Sequence, residues 1–247
     1  MTFSIIARDQ ATGALGIAVA SRFFAVGALV PHFCAEGAVA TQAFVNPMWG
    51  VEGTAMLARG DTAPEVIANL VARDAGAPQR QCHALDARGV AAAHTGAECV
   101  EWAGHANAEN VSVAGNMLVG SAVIEETLAS WLDNPDLEIP DRLLAALRAG
   151  EAVGGDKRGR QSAAIVIHRG QPYPWLDLRV DDHADPLSEL DRLLAVARER
   201  FVHFAACMGT TERFEGVTDR TELDRTLAAL EEERAATGQT SASAAVP

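Results

Sequence analysis

The sequence predicts an α+β protein in which antiparallel sheets are covered by layers of helices. Two observations carry this. Strand patterns come as neighbours joined by short, turn-rich connectors, which is the hairpin habit of antiparallel sheets. Helical patterns come in consecutive pairs, so the order is strands, two helices, strands, two helices, strands, helix. A doubly wound parallel sheet would alternate strand and helix strictly. With 247 residues, 49% of them apolar, the chain can bury a substantial core.

Residues 3–8 (FSIIAR) and 14–21 (ALGIAVAS) read as two strands around the connector Asp9-Gln10-Ala11-Thr12-Gly13. Residues 37–44 (GAVATQAF) form a third. The apolar period then becomes helical over 51–60 and 62–76, with Asp61 or Thr62 to cap the second helix and Gly76 to end it. Short strands follow at 81–86, 89–94 and 111–117, then helices at 120–132 and 139–149, then strands at 162–168 and 175–180. Asp185 and Pro186 suit the N-cap and first position of another helix. The pattern divides the chain into a main domain, 1–203, and a C-terminal helical extension, 204–247. In the extension, 221–238 is a charged amphipathic helix and the last nine residues are expected to fray.

Composition removes several function classes. The formal charge is −13, with 33 acidic residues against 20 basic ones, and aromatics are only 5%, so neither a phosphate backbone nor stacked bases are expected partners. Cys34, Cys82, Cys99 and Cys207 are widely spaced and lack zinc-ligand spacing. They suit reduced, buried thiols. No apolar run is long enough for a membrane span, and the first 20 residues lack a secretory pattern. A cytoplasmic location without membrane association is therefore expected.

Several stretches could carry chemistry. Thr2 follows the initiator Met1. Were Met1 removed, the α-amine of Thr2, with an ordinary pKa of about 7.7–8.0, could take the proton of its own hydroxyl and activate it for attack. Threonine is also an ordinary strand residue. Ser21 and Arg22 stand at the end of an apolar strand, as site-edge residues or as a plain strand exit. In "ATQAFVNPMWG", Gln42 and Asn46 could orient a substrate amide or an oxyanion, while Asn46-Pro47 is equally a turn signal. Asn116, after another strand, is a further amide donor. The densest polar stretch is "GEAVGGDKRGRQSAAIVIH". There Asp156, Lys157, Arg158, Arg160 and Gln161 follow Gly154-Gly155 and could clamp a carboxylate, or could be a solvated loop. His94 and His105 lack metal-ligand spacing. Asp181, Asp182 and His183 could bind a cation, but Arg179 shares a strand face with Asp177 and Asp181 and is expected to neutralise them.

The blocks "TFSIIARDQATGALGIAVASRFFAVGALVP", "GAVATQAFVNPMWG", "AAHTG", "GNMLVG", "GGDKRGRQSAA" and "DLRVDDHADP" closely resemble a bacterial family, the domain of unknown function numbered 1028, which is placed among the N-terminal-nucleophile (Ntn) hydrolases. The resemblance covers roughly residues 2–200. It implies a four-layer αββα sandwich, as in proteasome subunits: two antiparallel sheets flanked by helices. In that superfamily the first residue of the mature chain attacks an amide or related acyl carbon, and Thr2 matches that position. "AVASR" resembles the strand end that flanks the nucleophile.

The expectation is thus a cofactor-free amidohydrolase acting on a small amide, lactam or short peptide through an acyl-enzyme on Thr2. Asn116 and Lys157 join Thr2 as catalytic candidates. Ser21, Gln42, Asn46, His105, Asp156, Arg160 and Gln161 are the substrate-binding candidates, with Lys157 and Arg160 anchoring a carboxylate-bearing substrate. A homo-oligomer is expected. The alternatives are a non-catalytic small-ligand-binding protein on the same fold and a metal-dependent hydrolase using Asp181, Asp182 and His183.

Overall fold

The computed structural model describes residues 2–245. It divides into two compact units, residues 1–187 and 188–247. The first is the α+β sandwich that the strand and helix order predicts. Its strands are β1 (Thr2–Arg8), β2 (Leu15–Ser21), β3 (Pro31–Phe33), β4 (Ala38–Ala43), β5 (Arg80–Leu85), β6 (Ala91–Thr95), β7 (Gly104–Ala108), β8 (Val111–Asn116), β9 (Ser162–His168) and β10 (Leu176–Val180). They form a six-stranded sheet, β10-β9-β2-β1-β8-β7, and a four-stranded sheet, β3-β4-β5-β6. All the described strand pairings are antiparallel.

Period-2 alternation sorts each strand between two interiors. On β1, Ile6 faces the opposite sheet in a cluster with Leu15, Ile17, Val19, Ala38, Ala40 and Leu85. Phe3 points the other way, towards Gly115 and Gly150. Helices α3 (Ala122–Asp133) and α4 (Ile139–Ala152) cover that outer face of the six-stranded sheet. On the four-stranded sheet, Val39, Cys82 and Ala84 pack outward against Trp49, Met56, Leu57, Val66, Ile67 and Leu70. These come from α1 (Pro47–Ala58) and α2 (Ala63–Arg73). The layers are therefore helices, sheet, sheet, helices.

Local chemistry sets the helix starts. α1 begins at Pro47 and not at residue 51, because the Asn46 side chain caps it, accepting from Met48 N at 3.1 Å. Thr62, not Asp61, caps α2 in a reciprocal box with Glu65. β3 and β7 are the strands that periodicity misses. β3 has three residues, and β7 (GHANA) carries no apolar alternation. All four cysteines are free thiols; Cys82 and Cys99 are buried and the other two half-buried. No helix among the described residues is long and apolar enough to cross a membrane.

Residues 188–247 hold most of α5 (Pro186–Val196), a π-helical turn (Ala197–Phe201), α6 (Val202–Ala205) and α7 (Thr221–Thr237). Here Glu199 accepts from Ser241 Oγ and Ala242 N, both at 2.7 Å, and forms an ion pair with Arg234 at 2.8 Å. The segment that composition marks as a fraying tail is hydrogen-bonded at this point; its last two residues lie outside those described.

The packing of α3 on α4 depends on the absence of a side chain at Gly150. A Cβ there would sit 2.3 Å from Thr127 Oγ1, 3.0 Å from Phe3 Cε2 and 3.1 Å from the Val123 carbonyl. Gly150→Ala gains about 1 kcal/mol of helix propensity, but overpacking of this kind costs about 1–3 kcal/mol. We expect a net loss of stability in chemical denaturation; a more stable variant would show that the helices separate easily.

Candidate functional site

One end of the space between the sheets is polar. On β1, Thr2 and Ser4 alternate with buried apolar residues, and both face the four-stranded sheet together with Ile6. The same alternation brings in Gln42 from β4, Gln81 and His83 from β5, and Ser112 and Asn116 from β8, all buried. A buried amide or hydroxyl without a partner costs on the order of 1–3 kcal/mol. These groups instead satisfy one another.

Gln81 is the hub. Its Oε1 accepts from Gln42 Nε2 at 2.8 Å and from Asn116 Nδ2 at 3.0 Å. Its Nε2 donates to the carbonyls of Gly115 (2.7 Å) and Gly104 (3.1 Å) and to Thr95 Oγ1 (2.9 Å). Gln42 Nε2 also donates to the Ala114 carbonyl at 3.2 Å, so both of its N–H groups are committed. Its Oε1 accepts from Ser4 Oγ at 2.7 Å. Ser4 Oγ, having given its only proton away, accepts from His83 Nε2 at 2.9 Å.

His83 is wholly buried, and that burial, with His105 nearby, pushes its pKa down to about 3. The ring is therefore neutral, and its Nδ1 lies 2.9 Å from Ser112 Oγ. Ser112 Oγ also lies 2.7 Å from the amide of the exposed Asn107.

At the end of this layer Thr2 pairs with Asn116 on one side and with Ser21 on the other. Thr2 Oγ1 lies 3.1 Å from Ser21 Oγ. Thr2 lines a cavity of about 60 Å³ with Phe23, Val26, Leu29, Val30, Gln42, Ala43 and Val45. Three of the four described non-glycine residues with positive φ adjoin this spot: Ala25, Ala43 and Met117, at φ 53°, 70° and 60°. Each left-handed residue costs about 1–2 kcal/mol. Such strain persists where surrounding contacts fix the backbone, as they do for Gln42 and Asn116, which immediately precede two of them.

Asp156 and Gln161 bracket the same strand end. The buried Asp156 carboxylate accepts from the backbone N–H of Arg22 at 2.7 Å and of Arg158 at 2.8 Å, and from the Arg158 guanidinium at 3.3 Å. Gln161 N donates to the Ser21 carbonyl at 3.0 Å, and its Oε1 accepts from Arg22 at 3.3 Å. The polar loop 154–161 thus fixes where Ser21 sits.

The structure therefore brings Thr2, Ser21, Gln42 and Asn116 together, with Asp156 and Gln161 behind them. The other sequence-derived candidates stand apart from the cavity lining. Lys157 Nζ donates to the Glu101 carbonyl at 2.8 Å. Arg160 pairs with Glu151 at 2.5 Å and Asp185 at 3.8 Å. Asn46 is a helix cap whose Nδ2 donates to Asp74 at 3.0 Å; that bond first, and then the Gly76 N–H, draw the Asp74 carboxyl down to about 2. His105 is exposed, with Nδ1 2.9 Å from Thr95 Oγ1, and so adjoins the hub only through Thr95. Arg179 neutralises Asp181 at 3.0 Å. Among the described residues no His, Cys, Asp and Glu cluster could hold a metal ion.

Sequence reasoning missed Ser4, Gln81, His83 and Ser112. Their signal was present: polar residues at alternate positions inside otherwise apolar strands. The apolar cavity lining left no comparable mark.

A family model described as "Family of unknown function (DUF1028)" matches residues 2–190. A solved structure, protein SPO2555 from Silicibacter pomeroyi, described by the same family name, superposes with a TM-score of 0.82 at 32% identity, covering 88% of this chain and 96% of that one. No curated protein matches the chain.

Two predictions follow from the hub and from His83. Gln81→Leu leaves the Gln42 and Asn116 amides and the Gly115 carbonyl without their partner, and should cost about 3–5 kcal/mol in urea denaturation. Folding lowers the His83 pKa below its ordinary 6.5. The unfolded chain therefore takes up a proton below about pH 6.5 that the native one refuses. Stability is complete above that pH and falls by up to about 1.4 kcal/mol per unit beneath it. Between pH 6 and pH 4, His83→Gln should show a shallower slope than the parent, with the remainder owed to other histidines whose values are also lowered, His32, His105 and His168.

Proposed function

We propose that this chain, which belongs to the DUF1028 family of unknown function, is an Ntn-type amidohydrolase whose nucleophile is Thr2 Oγ1. The observation that carries the reading is the position of Thr2: at the start of a central strand, buried, beside Ser21 Oγ and lining a cavity. Removal of Met1, which lies outside the described residues, would turn the Thr2 nitrogen into a free amine on the same residue as the hydroxyl.

The chemistry then balances as follows. The α-amine takes the Oγ1 proton, Oγ1 bonds to the acyl carbon, and the C–N bond breaks as the leaving amine receives that proton. Water, deprotonated by the same amine, attacks the ester. The C–O bond to Thr2 breaks, the acid leaves, and Oγ1 regains its proton. Ser21 orients the hydroxyl. An oxyanion needs N–H donors. Gln42 has committed both of its own, whereas Asn116 spends one on Gln81 and can offer the other. Lys157 is not assigned a catalytic role, because the amine and Ser21 already supply base and orientation. Asp156 and Gln161 act by positioning the Ser21 strand end.

The test is a β-lactone probe read by intact mass and peptide mapping. We expect a mature chain without Met1 and one adduct, on Thr2, lost in Thr2→Ala and kept in Thr2→Ser. Ser21→Ala should slow labelling roughly threefold to tenfold, the worth of one neutral hydrogen bond. A retained Met1, or an adduct elsewhere, would sink the nucleophile and leave a ligand-binding scaffold.

A further inference from the structure

The cavity beside Thr2 specifies the substrate's acyl group. Among the described residues that line it none is charged, and Thr2 and Gln42 are the polar ones; Phe23, Val26, Leu29, Val30, Ala43 and Val45 supply the rest. Gln42 turns both its oxygen and its nitrogen into the inter-sheet network, so the polar demand inside the cavity is met before any ligand arrives. Phe23 and Phe44, 53% and 68% exposed, add apolar surface at or next to the lining. Arg160 is paired with Glu151 and Asp185 and Arg158 with Asp156, and the exposed Arg22, beside Phe23, donates to Gln161 Oε1. A carboxylate seated in this space would find no counter-ion among the described lining residues, which is costly.

Size narrows the class further. One water needs at least about 10–15 Å³, so a cavity of about 60 Å³ has room for only a short group. The reacting carbonyl must lie against Thr2 Oγ1. The group that remains one bond from it throughout acylation and hydrolysis is the acyl substituent, so the acyl substituent fills the cavity.

We infer that this is an acyl pocket for a short, uncharged aliphatic group, and that the enzyme hydrolyses amides of short-chain aliphatic acids and not acidic amides. The inference rests on Thr2 being the nucleophile and adds to it the identity of the acyl part.

The experiment uses the full mature chain and p-nitrophenyl esters of acetic, butyric, pentanoic, hexanoic and decanoic acids, with the glutaric monoester as the charged counterpart of pentanoyl. Nitrophenolate release and the mass of the acylated chain are read together, and pentanamide binding is measured by calorimetry. Acylation of Thr2 should quicken about fourfold per methylene up to pentanoyl or hexanoyl and drop for decanoyl. Glutaryl should fall at least about a hundredfold below pentanoyl. Val45→Phe should move the optimum to shorter chains and Leu29→Ala to longer ones. Acylation at Thr2 that ignores chain length, or favours glutaryl, overturns the pocket and leaves the nucleophile standing. Pentanamide binding without acylation upholds the pocket and overturns the nucleophile. Neither binding nor acylation overturns both.

Discussion

The sandwich is organised around one constraint: polar side chains that face inward between two sheets must find their partners there. Gln81 meets most of it, taking protons from Gln42 and Asn116 and giving its own to backbone carbonyls of β7 and β8. Because an amide of fixed shape serves both sheets at once, the two sheets cannot slide past one another without breaking several bonds together. Apolar packing alone, as between Ile6, Ile17 and Leu85 at the other end of the layer, would tolerate more slippage. The polar end therefore sets the sheet-to-sheet register, and the apolar end contributes the larger part of the burial energy.

That register decides where Thr2 stands. It stands at the first residue of β1, between Ser21 of β2 and Asn116 of β8 in the six-stranded sheet. The loop carrying Asp156 and Gln161 ties down the end of β2. The left-handed turns at Ala43 and Met117 carry the chain away immediately after Gln42 and Asn116. Strain held beside a cavity in this way persists because a satisfied network supports it.

Charge is distributed to match. The acidic loops and the outer face of α1 and α2 carry paired ions in solvent, such as Arg73 with Glu52 and Arg59 with Asp61. Exposed pairs of this kind contribute little to stability. The described lining of the cavity carries none, and the nearest buried charge, Asp156, is held by Arg158 and the Arg22 N–H. A neutral, apolar site discriminates by size and by desolvation more than by ion pairing.

Much of the fold was legible in the chain because alternation and helical period are local properties. FSIIAR and LGIAVAS could hardly be anything but strands, and paired helices between hairpins left little besides antiparallel layers. Ser21, Gln42, Asn116 and the bracket residues Asp156 and Gln161 were legible as polar residues at strand ends. Residues brought together by the opposition of two sheets were not. Gln81 and His83 look like flaws in a strand until Ser4 and Ser112 stand across from them, and Val26, Leu29, Val30 and Val45 become a cavity only when three separate segments enclose it. Sequence fixes which face of its own strand a side chain takes, because that depends on neighbours two residues away. Only the tertiary structure decides what that face meets, because the partner is tens of residues distant along the chain and its position is set by the packing of the whole sandwich.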